Sequence, residues 1–266
     1  MTPVSVVQGA GPLVLGLPHT GTFVPDDVRA QLNENGHKLA DTDWHIDRLY
    51  DGLLPNVTTV KANFHRYVID ANRDPSGESL YPGQNTTTLI PLTDFDGESI
   101  WETPPTPEDL SARRDAFHVP YHASLAAELE RVRAAHGVAI LYDCHSIRSV
   151  IPHLFEGTLP DFNIGTNFGE TCAPDIEAAT GAICAWASAY STVLNGRFRG
   201  GWTTRHYGQP QSGIHAIQME LAQSTYLTDE ETPWTYDQGK AARLRPQLTN
   251  ILTTLADLAP SLGGSK

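Results

Sequence analysis

Cysteine is scarce in this chain, and its few copies form no recognisable framework. The 266 residues contain three cysteines, Cys144, Cys172 and Cys184, and none of them belongs to a CxxC pair. Disulfide frameworks and cysteine metal sites both need paired cysteines at short spacings. The three thiols therefore indicate a reducing compartment, and we expect a cytoplasmic protein.

Long apolar runs and clusters of basic residues are missing as well. No run of 18 apolar residues occurs, and residues 1–7 lack the basic and apolar regions of a signal peptide. Acidic residues outnumber lysine and arginine by 31 to 18, which gives a formal net charge of −13. Phosphate binding needs clustered cations, so we expect neither a nucleic-acid nor a membrane partner. A small anionic substrate is compatible with this charge, because a few arginines at close range outweigh the field of the whole protein.

Several familiar catalytic motifs are also absent. The chain has no GxSxG elbow of serine hydrolases, no HExxH helix of zincins, no P-loop and no GxGxxG turn. Cys144 adjoins His145 and could suggest a thiol nucleophile, but adjacent side chains on a strand point to opposite faces. A metal site built from other residues is the alternative to consider.

Three short segments place polar residues on or after apolar runs. Residues 13–19 and 138–145 indicate buried strands that end in His19 and His145. Residues 217–221 alternate, which puts Gln218 and Glu220 on one face of a third strand. Ligands of open α/β sheets bind at strand ends, so these segments predict the functional site.

The order of apolar runs and helix signals predicts one α/β domain over residues 1–266. Thr106 is a helix start, Pro120 a break and Gly137 a helix end. Strands that alternate with helices favour a mostly parallel or mixed sheet. The other predicted elements are a helix start at 25–28, helices over 41–53, 174–190 and 236–258, strands over 57–62 and 65–69, and a loop over 75–105 that is typical of an active-site lid.

The two strand-end histidines, taken together, favour a metal. Taken singly, His19 could cap a loop and His145 could make an ordinary hydrogen bond. Metal binding needs a neutral imidazole of fixed tautomer, which the neighbouring Asp143 could enforce for His145. A third, carboxylate ligand is sought in the acidic cluster after the first strand, where the alternative is that the acids complement a helix dipole. Spacing alone does not choose among its members, which are Asp41, Asp43 and Asp47.

Glu220 is the candidate general base. It lies between Met219 and Leu221 on a predicted buried strand, where an unpaired carboxylate would be costly. A buried glutamate with a raised pKa is what proton transfer from an attacking water requires. The alternative is a structural salt bridge on an edge strand.

Arginines after the strands suit a substrate that carries carboxylates. Asn72 and Arg73 follow the strand predicted over 65–69, and a guanidinium binds a carboxylate in a two-pronged fork. Arg148 and Arg205 are candidates for a second carboxylate. For each arginine the alternative is a structural salt bridge.

The motifs around these residues resemble those of the N-formylglutamate amidohydrolases. That family is similar in fold to zinc carboxypeptidases and aspartoacylases, which implies a three-layer α/β/α fold with a central mixed sheet. The resemblance runs in order from about residue 12 to 227. It rests on residues 18–22 (PHTGT), 40–50 (ADTDWHIDRLY), 70–75 (DANRDP), 80–84 (LYPGQ), 143–149 (DCHSIRS), 161–166 (DFNIGT) and 215–221 (HAIQMEL).

The resemblance implies roles for the candidate residues. It implies that His19 and His145 bind one zinc ion per chain and that Glu220 is the catalytic glutamate. It also implies that Asn72 and Arg73 together bind a carboxylate of the substrate. Zinc carboxypeptidases carry a glutamate three residues after the first histidine, whereas Thr22 stands there in this chain. The resemblance therefore favours Asp43 as the carboxylate ligand, with Asp47 in reserve.

The reaction that the resemblance implies is hydrolysis of N-formyl-L-glutamate to formate and L-glutamate in histidine degradation. Arg73 and either Arg148 or Arg205 would bind the two carboxylates. Two alternatives stay open: a zinc amidohydrolase acting on another N-acyl amino acid, and a non-catalytic carboxylate-binding protein on the same fold. The sequence does not determine the oligomeric state.

Overall fold

A mixed β-sheet forms the centre of the molecule. The computed structural model describes residues 1–78 and 86–263. Within these residues seven strands pair in the order β1-β3-β2-β4-β7-β5-β6. β3, β2, β4 and β7 run parallel, while β1 is antiparallel to β3 and β5 is antiparallel to β7. The strands are β1 (Val4–Val7), β2 (Leu13–Leu17), β3 (Thr58–Ala62), β4 (Ala139–Ile147), β5 (Phe162–Gly165), β6 (Thr192–Leu194) and β7 (Ile214–Ala222).

Helices cover both faces of this sheet, because its central strands are apolar on both sides. The helices are α1 (Asp26–Arg29), α2 (Ile46–Tyr50), α3 (Pro107–Arg113), α4 (Val119–His136), α5 (Pro174–Trp186), α6 (Trp202–Tyr207) and α7 (Gln238–Leu262). Leu15 and Ile217 pack in one core with residues of α2, α5 and α7. Val14 and Leu141 point the other way and pack with residues of α1 and α4. The expected α/β class with a central mixed sheet between helical layers is confirmed.

The predicted helix signals between residues 106 and 137 are confirmed with one shift. Thr106 caps α3 and forms a capping box with Asp109, and Gly137 ends α4 in the left-handed conformation at φ 76°. The expected break at Pro120 lies earlier, in a π-helical turn over Arg114–His118. Proline removes one backbone donor and crowds the carbonyl four residues before it, and the wider turn provides the room that the ring needs.

Two predicted elements are wrong. The helix over 41–53 is limited to Ile46–Tyr50, because the Asp43 amide donates to the His19 carbonyl at 3.0 Å and His45 takes a φ of 61°. The strand over 65–69 is a turn in which the Val68 amide donates to the His65 carbonyl. Its side chains are buried like those of a strand. The apolar pattern of residues 65–69 therefore predicted correctly that they are buried, but wrongly that they form a strand.

Several boundaries also differ from the predictions. α5 ends at Trp186 instead of residue 190, and α7 begins at Gln238 and extends past residue 258 to Leu262. The short strands β1, β5 and β6 were not predicted, because strands of three or four residues give too few alternations to recognise. The motif at residues 80–84 lies outside the described residues. In the part of the chain that the structure describes, no helix combines the length and the apolar character needed to cross a bilayer.

Candidate active site

His19 and Asp43 are brought together by the turn that replaces the predicted helix start. His19 follows β2 after one proline, and both side chains are buried. The Asp43 amide donates to the His19 carbonyl at 3.0 Å, so the backbone joins the two residues directly. The Asp43 Oδ2 atom in turn accepts from the Ser146 amide at 3.1 Å, at the end of β4. Asp43 is thereby fixed between two strands.

His145 and Glu220 lie side by side on β4 and β7. They are register partners in the parallel pair, as are Asp143 and Gln218 two residues earlier. All four face the α4 side of the sheet, because their strand neighbours Cys144 and Met219 pack in the opposite core. Gln218 Nε2 donates to Glu220 Oε2 at 3.0 Å, which agrees with the prediction that the two side chains share a face. His145 and Glu220 therefore lie two residues inside the ends of their strands, whereas His19 lies just beyond the end of β2.

The three predicted ligands converge on one buried point. Asp43 Oδ2 lies 3.8 Å from His19 Nδ1 and 3.4 Å from His145 Nδ1. One ligand atom of each side chain lies within 4.8 Å of the other two. Two imidazole nitrogens and one carboxylate oxygen are a donor set typical of catalytic zinc sites. Asp47, the reserve candidate, instead pairs with Lys61 at 2.9 Å on the surface.

Each histidine has a second carboxylate at its Nε2 atom, on the side of the ring away from the converging ligand atoms. His19 Nε2 lies 2.6 Å from Asp70 Oδ1, and His145 Nε2 lies 3.2 Å from Asp143 Oδ2. Thr204 Oγ1 donates to the same Asp143 oxygen at 2.9 Å. A carboxylate accepts from the Nε2–H group, which leaves the Nδ1 lone pair directed at the centre. The role expected for Asp143 matches this geometry, whereas Asp70 was not predicted.

Arg66 neutralises much of the buried negative charge. Its Nη2 atom lies 2.6 Å from Asp70 Oδ2, and its Nη1 atom lies 3.9 Å from Asp43 Oδ1. Burial tends to raise the pKa of Asp70, but Arg66 and His19 outweigh it and hold that pKa well below its ordinary value. Burial and the charge of Arg66 lower the pKa of His19, which favours the neutral imidazole that a metal needs. The sequence contains one sign of this role: Arg66 is a charged residue within a segment whose pattern indicates burial.

Glu220 has the protonation behaviour expected of a proton-transfer group. Burial raises its pKa to about 8; His145 acts against this shift and Asp43 adds to it. Burial would lower the pKa of His145, but the nearby carboxylates, Asp143 above all, raise it well above its ordinary value. A metal ion bound by His145 would therefore have to displace a proton from this imidazole. A carboxyl group whose pKa lies near neutrality can both take up and release a proton.

A cavity of about 660 Å³, including its mouth toward solvent, opens over these residues. Asn72 and Arg73, the candidates for carboxylate binding, line it, and so do two arginines that were not predicted, Arg66 and Arg197. Among the described residues, Arg148 and Arg205 are not part of the lining: Arg148 pairs with Asp96 at 2.7 Å, and Arg205 Nε donates to the Gly200 carbonyl at 2.8 Å. The apolar wall of the cavity consists of Phe95, Ile147, Leu154 and Phe198.

Contacts on several sides fix the Asn72–Arg73 pair. Asn72 Oδ1 accepts from the Thr203 amide at 2.9 Å. Arg73 donates from Nε to the Thr87 carbonyl at 2.9 Å and from Nη2 to the Thr87 hydroxyl at 2.8 Å. The pair therefore lies between the ligand cluster and the cavity wall.

The fold and this site define an α/β protein with a buried histidine–carboxylate centre beside a buried glutamate. Residues 11–227 match the N-formylglutamate amidohydrolase family, and the chain belongs to that family. A protein named N-formylglutamate deformylase from Pseudomonas aeruginosa is 46% identical over 255 residues, which cover 95% of each chain. One of the same name from Pseudomonas putida is 45% identical over 255 residues, again 95% of each chain.

Solved structures agree in fold. The crystal structure of an N-formylglutamate amidohydrolase from Ralstonia eutropha superposes with a TM-score of 0.81 at 24% identity, covering 98% of this chain and 99% of the other. A protein from Agrobacterium tumefaciens superposes with a TM-score of 0.73 at 17% identity, covering 97% of this chain and 96% of the other. At these identities the likeness supports the fold alone.

Proposed function

We propose that this protein is a metal-dependent N-formyl-L-glutamate deformylase, which hydrolyses its substrate to formate and L-glutamate. The observation that carries the proposal is the convergence of His19, Asp43 and His145 beside Glu220, at a cavity that His19, His145, Glu220 and several arginines line. The Pseudomonas relatives named N-formylglutamate deformylase support the choice of substrate.

The donor set fits a zinc ion. His19, Asp43 and His145 would hold one ion per chain, with the two histidines oriented by Asp70 and Asp143. Bound there, zinc would supply Lewis-acid polarisation and lower the pKa of a water. Nitrogen and oxygen ligands in a small buried cluster favour zinc over magnesium or calcium, which prefer all-oxygen sites.

Glu220 would carry the proton between the two halves of the reaction. It accepts a proton from the water whose oxygen attacks the formyl carbon. It then delivers that proton to the amide nitrogen as the C–N bond breaks, which leaves formate and the free amine of glutamate. The bond from Gln218 Nε2 at 3.0 Å orients the Glu220 carboxyl group toward the cavity.

Two arginines would bind the two carboxylates of the substrate. Arg73 serves one of them together with Asn72, as the family resemblance implies. For the second, Arg197 replaces Arg148 and Arg205 in our proposal, because Arg197 lines the cavity. Its Nε atom donates to the Leu154 carbonyl at 3.1 Å, which positions the guanidinium beside the apolar wall.

The wider assignments follow from this reaction. We place the enzyme in histidine degradation on the strength of its proposed substrate. All three cysteines are free and buried, which supports a reducing compartment such as the cytoplasm. A single sheet links strands from Val4 to Ala222, which supports one catalytic domain.

The test combines metal content with formate release from N-formyl-L-glutamate, with and without a chelator. We expect about one zinc per chain and formate release that the chelator abolishes and added zinc restores. Metal without formate release would refute the substrate, and N-acetyl- and N-succinyl-glutamate would then identify another acyl group. Absence of both metal and activity, even after zinc is added, would leave a non-catalytic carboxylate-binding protein.

A further inference from the structure

Two histidines outside the cavity contact the backbone on the two sides of Asn72, at Ala71 and Arg73. His122, on α4, places Nε2 2.7 Å from the Ala71 carbonyl oxygen. His118, the last residue of the π-helical turn, places Nε2 3.0 Å from the Arg73 carbonyl oxygen. A carbonyl oxygen only accepts, so each ring donates its Nε2–H group. The two bonds therefore hold the chain on both sides of Asn72.

This segment obtains few of its hydrogen bonds from regular secondary structure. The Asn72 amide donates to Asp70 Oδ1 at 2.8 Å, and the Asn72 carbonyl accepts from Arg73 Nη1 at 2.9 Å. Together with the two histidine bonds, side chains thus satisfy three consecutive carbonyls from Ala71 to Arg73. Buried backbone groups need such partners, so removing a histidine frees the segment to move.

The histidines are rigidly supported. Their rings lie 4.3 Å apart, and the Trp202 ring packs against His122 at 4.7 Å and His118 at 5.6 Å. The Tyr207 hydroxyl lies 3.1 Å from His122 Nδ1. Burial lowers the pKa of His122 to about 3, with His118 adding to the shift, so His122 is neutral. Trp202 also opens α6, in which the next amide, that of Thr203, donates to Asn72 Oδ1.

We propose that His118 and His122 are positioning residues for carboxylate recognition: they fix the Ala71–Arg73 backbone so that the Asn72 and Arg73 side chains are held ready for the substrate. Neither histidine is among the described residues that line the cavity. They act through the backbone and not on the substrate itself. The inference rests on the proposed function for its choice of ligand.

The test compares His122→Leu with His122→Gln, because glutamine can present an N–H donor at a reach similar to Nε2. KM and kcat for N-formyl-L-glutamate, and Kd for glutarate, an unreactive dicarboxylate, are measured on purified protein with metal content as a control. We expect His122→Leu to raise KM and Kd about tenfold, the effect of losing one well-placed hydrogen bond. The kcat value and metal content should change little, and His122→Gln should recover most of the affinity.

The pair His118→Leu and His118→Gln repeats the test if a His122 variant does not fold. His136→Leu is the matched control, since His136 lies on the same helix and contacts the Ala10 carbonyl at 2.9 Å, far along the chain from Asn72. Unchanged KM and Kd in the leucine variants, or equal values in the leucine and glutamine variants, would overturn the inference. If the wild type released no formate but bound glutarate in a histidine-dependent manner, the proposed function would fail and the positioning role would stand. If the wild-type protein neither released formate nor bound glutarate, the proposed function and the positioning role would both be refuted.

Discussion

The two faces of β4 and β7 differ in chemistry toward the ends of the strands. On the face toward α5 and α7, Cys144 and Met219 are packed among apolar side chains. On the opposite face, the same strands carry Asp143, His145 and Glu220, all of them also buried. Buried ionisable groups cost free energy unless they are paired and hydrogen-bonded. The apolar face therefore stabilises the sheet, while the polar face is arranged for chemistry.

Removing a ligand should have the largest effect on activity. Asp43→Ala takes away the oxygen shared by His19 and His145, and we expect loss of both the metal and formate release. Metal analysis of the purified variant beside the wild type measures this directly. Asp47→Ala is the matched control, because Asp47 pairs with Lys61 on the surface. Full metal content in Asp43→Ala would show that another carboxylate is the ligand.

Replacement of Glu220 should separate chemistry from metal binding. Glu220→Gln keeps the shape of the side chain but cannot accept the proton, so we expect kcat to fall about 10²- to 10⁴-fold. Metal content should stay near the wild-type value, because Glu220 is not one of the three converging ligands. Wild-type kcat in this variant would eliminate Glu220 as the base.

Arginine substitutions should act on substrate affinity. Arg197→Gln removes a proposed carboxylate partner, and we expect KM to rise about 10- to 100-fold, the range of a lost charged hydrogen bond. Arg148→Gln and Arg205→Gln should leave KM nearly unchanged, since neither side chain is in the described cavity lining. A rise in KM for one of these two, with none for Arg197→Gln, would restore the assignment made from sequence.

A change on the apolar face should have the smallest effect on catalysis. Ile217 is fully buried beside Gln218 but points into the other core. Ile217→Ala should lower the free energy of unfolding by about 2–5 kcal/mol through the cavity that it leaves. Below the unfolding transition, KM and kcat should match the wild type. A large loss of kcat in the folded variant would show that the two faces are coupled.

Much of this contrast was predictable from local pattern. The alternation around Glu220 predicted that it shares a face with Gln218, and the hydrogen bond between them agrees. The apolar runs before His19 and His145 predicted strands, because burial on both faces leaves a continuous apolar sequence. The turn over residues 65–69 was mistaken for a strand, since its side chains are as buried as those of β4.

Periodicity and helix signals act over a few neighbouring positions, and they were enough to predict the α/β class, the central strands and the residue types of the site. Spacing did not distinguish Asp43 from Asp47, and it gave no sign that Asp70 and Arg66 lie beside His19 or that Arg197, and not Arg148, lines the cavity; folding of the whole chain decides these positions. These contacts join side chains from separate turns and strands. Their distances depend on how segments that are far apart in the sequence pack together, which local sequence patterns do not show.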